Sequence, residues 1–234
     1  MRTQVLSAVK VGVTGGFACV LSGATWITFT PPAYSLTTFG TYTFEGDTLT
    51  SSGVAPGISF SNFSYTGPST PGFVAGSPGR AYTANNWNVT AIDPNNRYFT
   101  FTVAPQAGNQ ITISKFSFSN QRSSTGPVNF AIRSSSSNFS SDIVSGATAL
   151  TPAFTTNQFL LSGFNNIQTP VEFRVYGFNA SASTGTWRVD NVQLQGDITA
   201  AAPVPFEFSP SLGLVALGSW WGIRKLQKRL LTKN

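Results

Sequence analysis

The 234-residue chain has no histidine and a single cysteine, Cys19. Without an imidazole there is no Ser-His-Asp triad, no Cys-His pair and no histidine proton relay, and one thiol cannot build a zinc site of several Cys or His ligands. Charge is scarce as well: 9% of the residues are Asp, Glu, Lys or Arg, against about 25% in an ordinary soluble protein. Disorder driven by high charge and low hydrophobicity is excluded, because hydrophobic residues make up 41% and aromatics 13% of the chain, with 20 Phe.

The net charge of +6 sits at the ends. Arg2 and Lys10 open the chain, and Arg224, Lys225, Lys228, Arg229 and Lys233 close it. Between residues 36 and 204, Arg80, Arg97, Lys115, Arg122, Arg133, Arg174 and Arg188 are balanced by Glu45, Asp47, Asp93, Asp142, Glu172, Asp190 and Asp197. Phosphate binding needs a clustered basic face, so no nucleic-acid partner is expected.

Each basic end adjoins an uncharged stretch. After Arg2 and Lys10 the chain is free of charge to Glu45, and Ala33 and Ser35 satisfy the small-residue rule for signal cleavage. Residues 1–35 read as a secretory signal peptide that uses the Sec translocon; an uncleaved anchor is the alternative. Cys19 lies within it, so the exported part needs no disulfide. At the other end Pro205-Phe206-Glu207 open an apolar stretch, and Phe206 to Ile223 is 18 residues, about 27 Å as a helix and slightly short of the roughly 30 Å hydrocarbon core of a bilayer. Arg224 and Lys225 can snorkel to make up the difference, and positive-inside orientation leaves residue 204 outside.

The order motif, span, basic tail closely resembles the PEP-CTERM class of sorting signals, in its Pro-Phe-Glu (PFE-CTERM) variant. The resemblance implies that residues 203–234 are a sorting signal with a transmembrane helix, that Pro205, Phe206 and Glu207 are read by an exosortase-type membrane transpeptidase, and that the membrane holds the protein in transit. A plain tail anchor is the alternative.

Between the two ends, period-2 alternation dominates. In Arg97–Val103, Phe99, Phe101 and Val103 share one face and Thr100 and Thr102 the other. Similar runs occupy Phe39–Glu45, Ile58–Tyr65, Ile111–Phe118, Val128–Ile132, Gln158–Leu161, Val171–Phe178 and Trp187–Leu194. The phase slips at Ser114-Lys115, which predicts a β-bulge. No helical pattern intervenes, so the expectation for 36–202 is one all-β domain, a single antiparallel β-sandwich or jelly roll of eight or nine strands. Two blocks, Asn120–Pro127 with the following Phe130–Ser135, and Gly185–Leu194, resemble segments of exported PEP-CTERM proteins. The second is also similar to the last strand of jelly-roll carbohydrate-binding modules.

Three groups of residues are candidates for a site. The first strand ends Phe44-Glu45-Gly46-Asp47 and the last contains Asp190-Asn191. The jelly-roll resemblance brings such strands together, and hard carboxylate oxygens suit a structural calcium ion; solvated turn acids are the alternative. Trp87, among Asn85, Asn86 and Asn88, offers a ring for a sugar face, with Tyr82 assisting; a core tryptophan is the alternative. Arg122 and Arg133 could grip a carboxylate or sulfate of an acidic polysaccharide, or else brace loops. No pair of carboxylates stands out for glycosidase chemistry, so no catalytic residue is named. The expectation is an exported, non-catalytic protein of the cell surface, envelope or extracellular matrix; a carbohydrate-binding module for an extracellular polysaccharide is the alternative, and a glycoside hydrolase the third.

Overall fold

The computed structural model describes residues 35–202. The predicted signal peptide, save its last residue Ser35, and the predicted sorting signal lie outside them. Among the described residues no helix is long and apolar enough to cross a membrane.

Twelve strands form two antiparallel sheets packed as a sandwich. They are β1 (Thr37–Tyr42), β2 (Ile58–Phe60), β3 (Ser64–Thr66), β4 (Gly72–Ala75), β5 (Arg80–Ala84), β6 (Tyr98–Pro105), β7 (Asn109–Arg122), β8 (Asn129–Ser134), β9 (Val144–Ala147), β10 (Thr155–Leu160), β11 (Val171–Phe178) and β12 (Trp187–Ala200). The first sheet runs β10-β7-β12-β5-β4; β12 is long enough to pair with β5 through Trp187–Val189 and with β1 through Val192–Gly196. The second runs β2-β6-β11-β8-β9, and β3 shares the edge of β6 with β2.

The alternating runs become strands whose apolar faces meet between the sheets. Phe99, Phe101 and Val103 of β6 lie against Val175, Phe173 and Val171 of β11 in register, all of them buried. Aromatic rings fill the middle: Phe101 stacks on Phe173 at 5.7 Å between centroids and on Phe63 at 5.9 Å. Two expectations change. The run Ile58–Tyr65 is two strands, because Phe63 turns wholly into the core and its N–H bonds to Leu49 O instead of the ladder. The expected count of eight or nine strands also misses β4, β5 and β9, which are five residues or fewer and rich in Gly, Ala and Ser, too short to show a period.

The predicted bulge is present. Gln195 opposes Lys115 and Gly196 opposes Ile113, so Ser114 is the extra residue and Ile113 and Phe116 both face the core. Gly196 is required there, since a Cβ would run into the carbonyl of Thr112. A second bulge, not foreseen, lies in β12: Asp190 opposes Ser119 and Gln193 opposes Ser117, with Asn191 at φ 49°. Asn tolerates that left-handed conformation. Inward residues therefore shift from Trp187 and Val189 to Val192 and Leu194.

Candidate functional site

Trp87 offers no ring to a sugar. Its indole is wholly buried, donates Nε1–H to Ala84 O at 2.9 Å, and packs edge-on to Trp187 at 5.3 Å. Tyr82 is buried as well, between Phe44 and Phe63, and burial, with Tyr65 adding to it, pushes its phenol up to about 12. The sugar-stacking reading of these two residues is thus corrected. The amides around Trp87 serve the turn: Asn86 takes φ 67° and its N–H bonds to Ser183 O.

Arg122 and Arg133 belong to different sheets and do not converge. Arg122 Nη1 donates to the carbonyls of Ser123 and Ser124. Arg133 pairs with Asp142 at 2.6 Å and donates to Phe139 O. Both brace loops. Directly across from Arg133 stands Arg174, which no sequence reasoning singled out. Its guanidinium lies 3.6 Å from the Phe139 ring centroid and 4.5 Å from that of Tyr98, pairs with Glu172 and donates to Pro94 O. It pins the 91–97 and 135–142 loops onto the outer face of the second sheet. Outward alternation of Glu172, Arg174 and Tyr176 on β11 was the signal available for it.

The three candidate calcium ligands fall around the β4–β5 turn without closing on one point. Asp47 pairs with the Arg80 side chain at 2.6 Å, while Glu45 accepts the Arg80 backbone N–H at 3.0 Å. Asp190 is fully buried and accepts the backbone N–H groups of Asn191 and Ser77. Burial raises its carboxyl to about 6, against the pull of those two N–H groups and with Glu45 adding to the rise. Gly79, at φ 75°, leaves the space that the Glu45 carboxylate fills. Among the described residues no group of three or more acidic, His or Cys side chains is placed to hold a metal.

The outer face of the first sheet carries a different arrangement. Registered across β10, β7 and β12 are the rows Leu160–Lys115–Gln195, Gln158–Ser117–Gln193 and Thr156–Ser119–Asp190, followed by Gln121–Arg188 on β7 and β12. Ser117, Ser119 and Gln121 point outward, yet they are only 7%, 4% and 5% exposed. The short serines lie sunk between the longer side chains of both neighbouring strands. The result is a trough along β7, roughly 20 Å from Lys115 to Gln121 at about 3.4 Å per residue.

Its walls are held by side-chain bonds. Ser119 Oγ and Thr156 Oγ1 lie 2.8 Å apart, Arg188 Nη1 donates to Gln121 Oε1, and Gln121 Nε2 to Pro152 O. Gln193 Nε2 donates to Thr41 Oγ1, and Gln195 Nε2 to Gln193 Oε1. Hydroxyls and primary amides each both donate and accept. Lys115 and Arg188 stand at the two ends, and the one carboxylate, Asp190, is sealed below the surface.

Neither the protein-family models nor the curated proteins include a match to this chain. Solved structures do resemble it. A cleaved adhesin domain of Lys-gingipain from Porphyromonas gingivalis is 16% identical, with 69% of this chain and 99% of that one covered and a TM-score of 0.41. The CBM22-1 xylan-binding domain from Paenibacillus barcinonensis is 9% identical, with 74% and 99% covered and a TM-score of 0.42. A xylan-binding module, CBM15, is 10% identical, with 59% and 95% covered and a TM-score of 0.39.

Proposed function

We propose that residues 36–202 form a non-catalytic carbohydrate-binding module of an exported, surface-anchored protein, with the trough along β7 as its glycan site. The observation that carries this reading is the sunken column of Ser117, Ser119 and Gln121 between amide walls. Ser119 and Gln121 are bonded within the protein and stiffen the floor, so the groups this face offers to a hydroxyl-rich chain are those of its rim, the Gln158 amide and the Gln195 carbonyl oxygen, and its ring-free floor leaves recognition to hydrogen bonds. Export by the Sec translocon and sorting through Pro205, Phe206 and Glu207 by an exosortase-type transpeptidase belong to the same proposal. They rest on the sequence resemblance and place the module at the cell surface or in the extracellular matrix, where polysaccharide is found. A structural calcium ion is proposed in a reduced form, on Glu45, Asp190 and backbone carbonyls, since Asp47 is committed to Arg80.

The test is retention of the module by extracellular polysaccharide in an affinity gel. Gln158→Ala together with Gln193→Ala removes groups from both walls. At about 0.5–1.5 kcal/mol per net hydrogen bond the pair should weaken binding roughly tenfold, while Trp87→Phe and Ser64→Ala, the latter on the second sheet, should leave it unchanged. Retention that ignores the wall variants, or that falls with Ser64→Ala, removes the trough from consideration.

A further inference from the structure

Edge strands expose unpaired N–H and C=O groups, and folded proteins usually shorten, charge or interrupt them. The sandwich does so at most of its edges: β2 and β3 have three residues each, and β4 and β9 four with a glycine. β10 is the exception. Its Thr155-Thr156-Asn157-Gln158-Phe159-Leu160 is six residues long and has no charge, glycine or proline. β7 takes only one side of it.

The register shows which groups are free. Leu161 N–H bonds to Ser114 O, so by antiparallel alternation Phe159, Asn157 and Thr155 face β7 with their backbone groups, while Thr156, Gln158 and Leu160 direct theirs to the open edge. Among the described residues no other strand or backbone hydrogen bond occupies that edge. Two further features belong to the same strand. Asn157 Nδ2 is buried with no hydrogen-bond partner among the described residues. Leu160, at 84%, is the most exposed large hydrophobic residue described, and Phe154, just before the strand, is partly buried.

We infer that β10 pairs antiparallel with β10 of a second copy of this chain, about a two-fold axis through Asn157. That register sets Thr156 opposite the second copy's Gln158 as a hydrogen-bonded pair made from the free backbone groups. It sets Leu160 opposite the second copy's Phe154, covering the exposed leucine at both ends of the seam. The two Asn157 residues become a non-hydrogen-bonded pair, whose Cα atoms approach to about 4.5 Å, so each orphan amide meets the carbonyl oxygen of the other. An axis lying between two residues would set edge-directed backbone groups against groups turned toward β7, and moving it by one whole residue, to Thr156 or Gln158, keeps the ladder but separates the amides. Thr156 and Gln158 also form a wall of the trough, so the seam joins two troughs on one continuous sheet. Pairing stands independently of what the trough binds.

Cysteine cross-linking of the full-length chain in mild detergent, with Cys19→Ser, tests the register. A Cα separation of about 4.5 Å lies within disulfide range. Asn157→Cys should oxidise to a covalent dimer, whereas Thr155→Cys and Phe159→Cys, each facing a different residue, should stay monomeric on a non-reducing gel. Equal cross-linking at all three positions, or none at 157 in a protein with an unchanged β-type circular dichroism spectrum, overturns the inference. Sedimentation equilibrium with the detergent density-matched gives a second reading that needs no cysteine. Wild type should have the mass of two chains, and Thr156→Lys with Gln158→Lys, which sets like charges opposite one another, the mass of one. A wild-type protein that sediments as a single chain is equally fatal.

Discussion

Asp190 is the carboxylate whose ionisation the fold most disturbs. Burial beneath the β4–β5 turn, together with Glu45, lifts its carboxyl from 3.8 to about 6. The folded state therefore holds a proton that the unfolded chain releases. Its contribution is complete below about pH 4 and is lost as pH rises through about 6, a fall of roughly 2–3 kcal/mol. Melting temperatures measured in chelator should drop across that window and flatten in Asp190→Asn. Calcium added at pH 7 should restore the wild type by RT ln(1 + [L]/Kd) and leave Asp190→Asn unmoved. A wild type indifferent to calcium eliminates the ion; a flat pH profile in wild type shows that Asp190 is hydrated. Trp87 teaches the complementary lesson, since a ring beside three asparagines reads as a surface feature until the fold encloses it.

At the scale of elements, the two bulges decide which side chains β7 and β12 send inward. Ser114 adds one residue to β7, so that Ile113 and Phe116 both reach the core. The slip was legible because an apolar period of two cannot change phase without an extra residue. The β12 bulge carries the same signature, two polar residues between Val189 and Val192, but over a shorter run in which Asp190-Asn191 reads equally as a turn or a ligand pair. Backbone contact at the first bulge is close enough that Gly196→Ala must push Thr112 aside. The expected cost is about 1–3 kcal/mol, read as a lower denaturant midpoint with an unchanged slope. A variant as stable as wild type would mean that the β7–β12 ladder relaxes freely at that point. The short strands β4, β5 and β9 carry too few residues to declare a period, and they gain their ladders only from the longer strands beside them.

For the whole molecule, the balance of charge assigns different work to different parts. The sandwich is nearly neutral and its polar face is built from amides and hydroxyls, while the basic residues that give the chain its net charge lie at the two ends. A neutral face suits a glycan more than a phosphate, and two troughs joined along β10 would raise the local concentration of sites for one polysaccharide strand. Sorting is testable at the same scale. Replacing Pro205, Phe206 and Glu207 with Ala, the apolar run kept intact, should accumulate a full-length membrane-bound precursor and empty the surface fraction. Surface protein of normal mass in the variant, or Arg224–Asn234 still attached to wild-type surface protein by mass spectrometry, leaves a plain tail anchor as the account of that segment.

The sequence by itself determined what one strand can declare. Alternation over six or more residues named the long strands, β11 to the residue, because burial of one face of a sheet imposes a period of two whatever the neighbours are. The absence of histidine, and of cysteine from residues 36–202, removed whole classes of chemistry, since no arrangement supplies a missing functional group. The tertiary structure alone decided everything that depends on strand order. Tyr82 went inside because it lies on the inward face of β5, beside Val189 of β12, Trp87 because its indole turns back onto Ala84 O and Trp187, and Arg122 was separated from Arg133 because β7 and β8 joined different sheets. The trough could not be read from the chain, since Ser117 and Ser119 become a sunken floor only when β10 and β12 set longer side chains on either side. Neighbours in a sheet are distant in sequence, and depth on a surface is a property of neighbours.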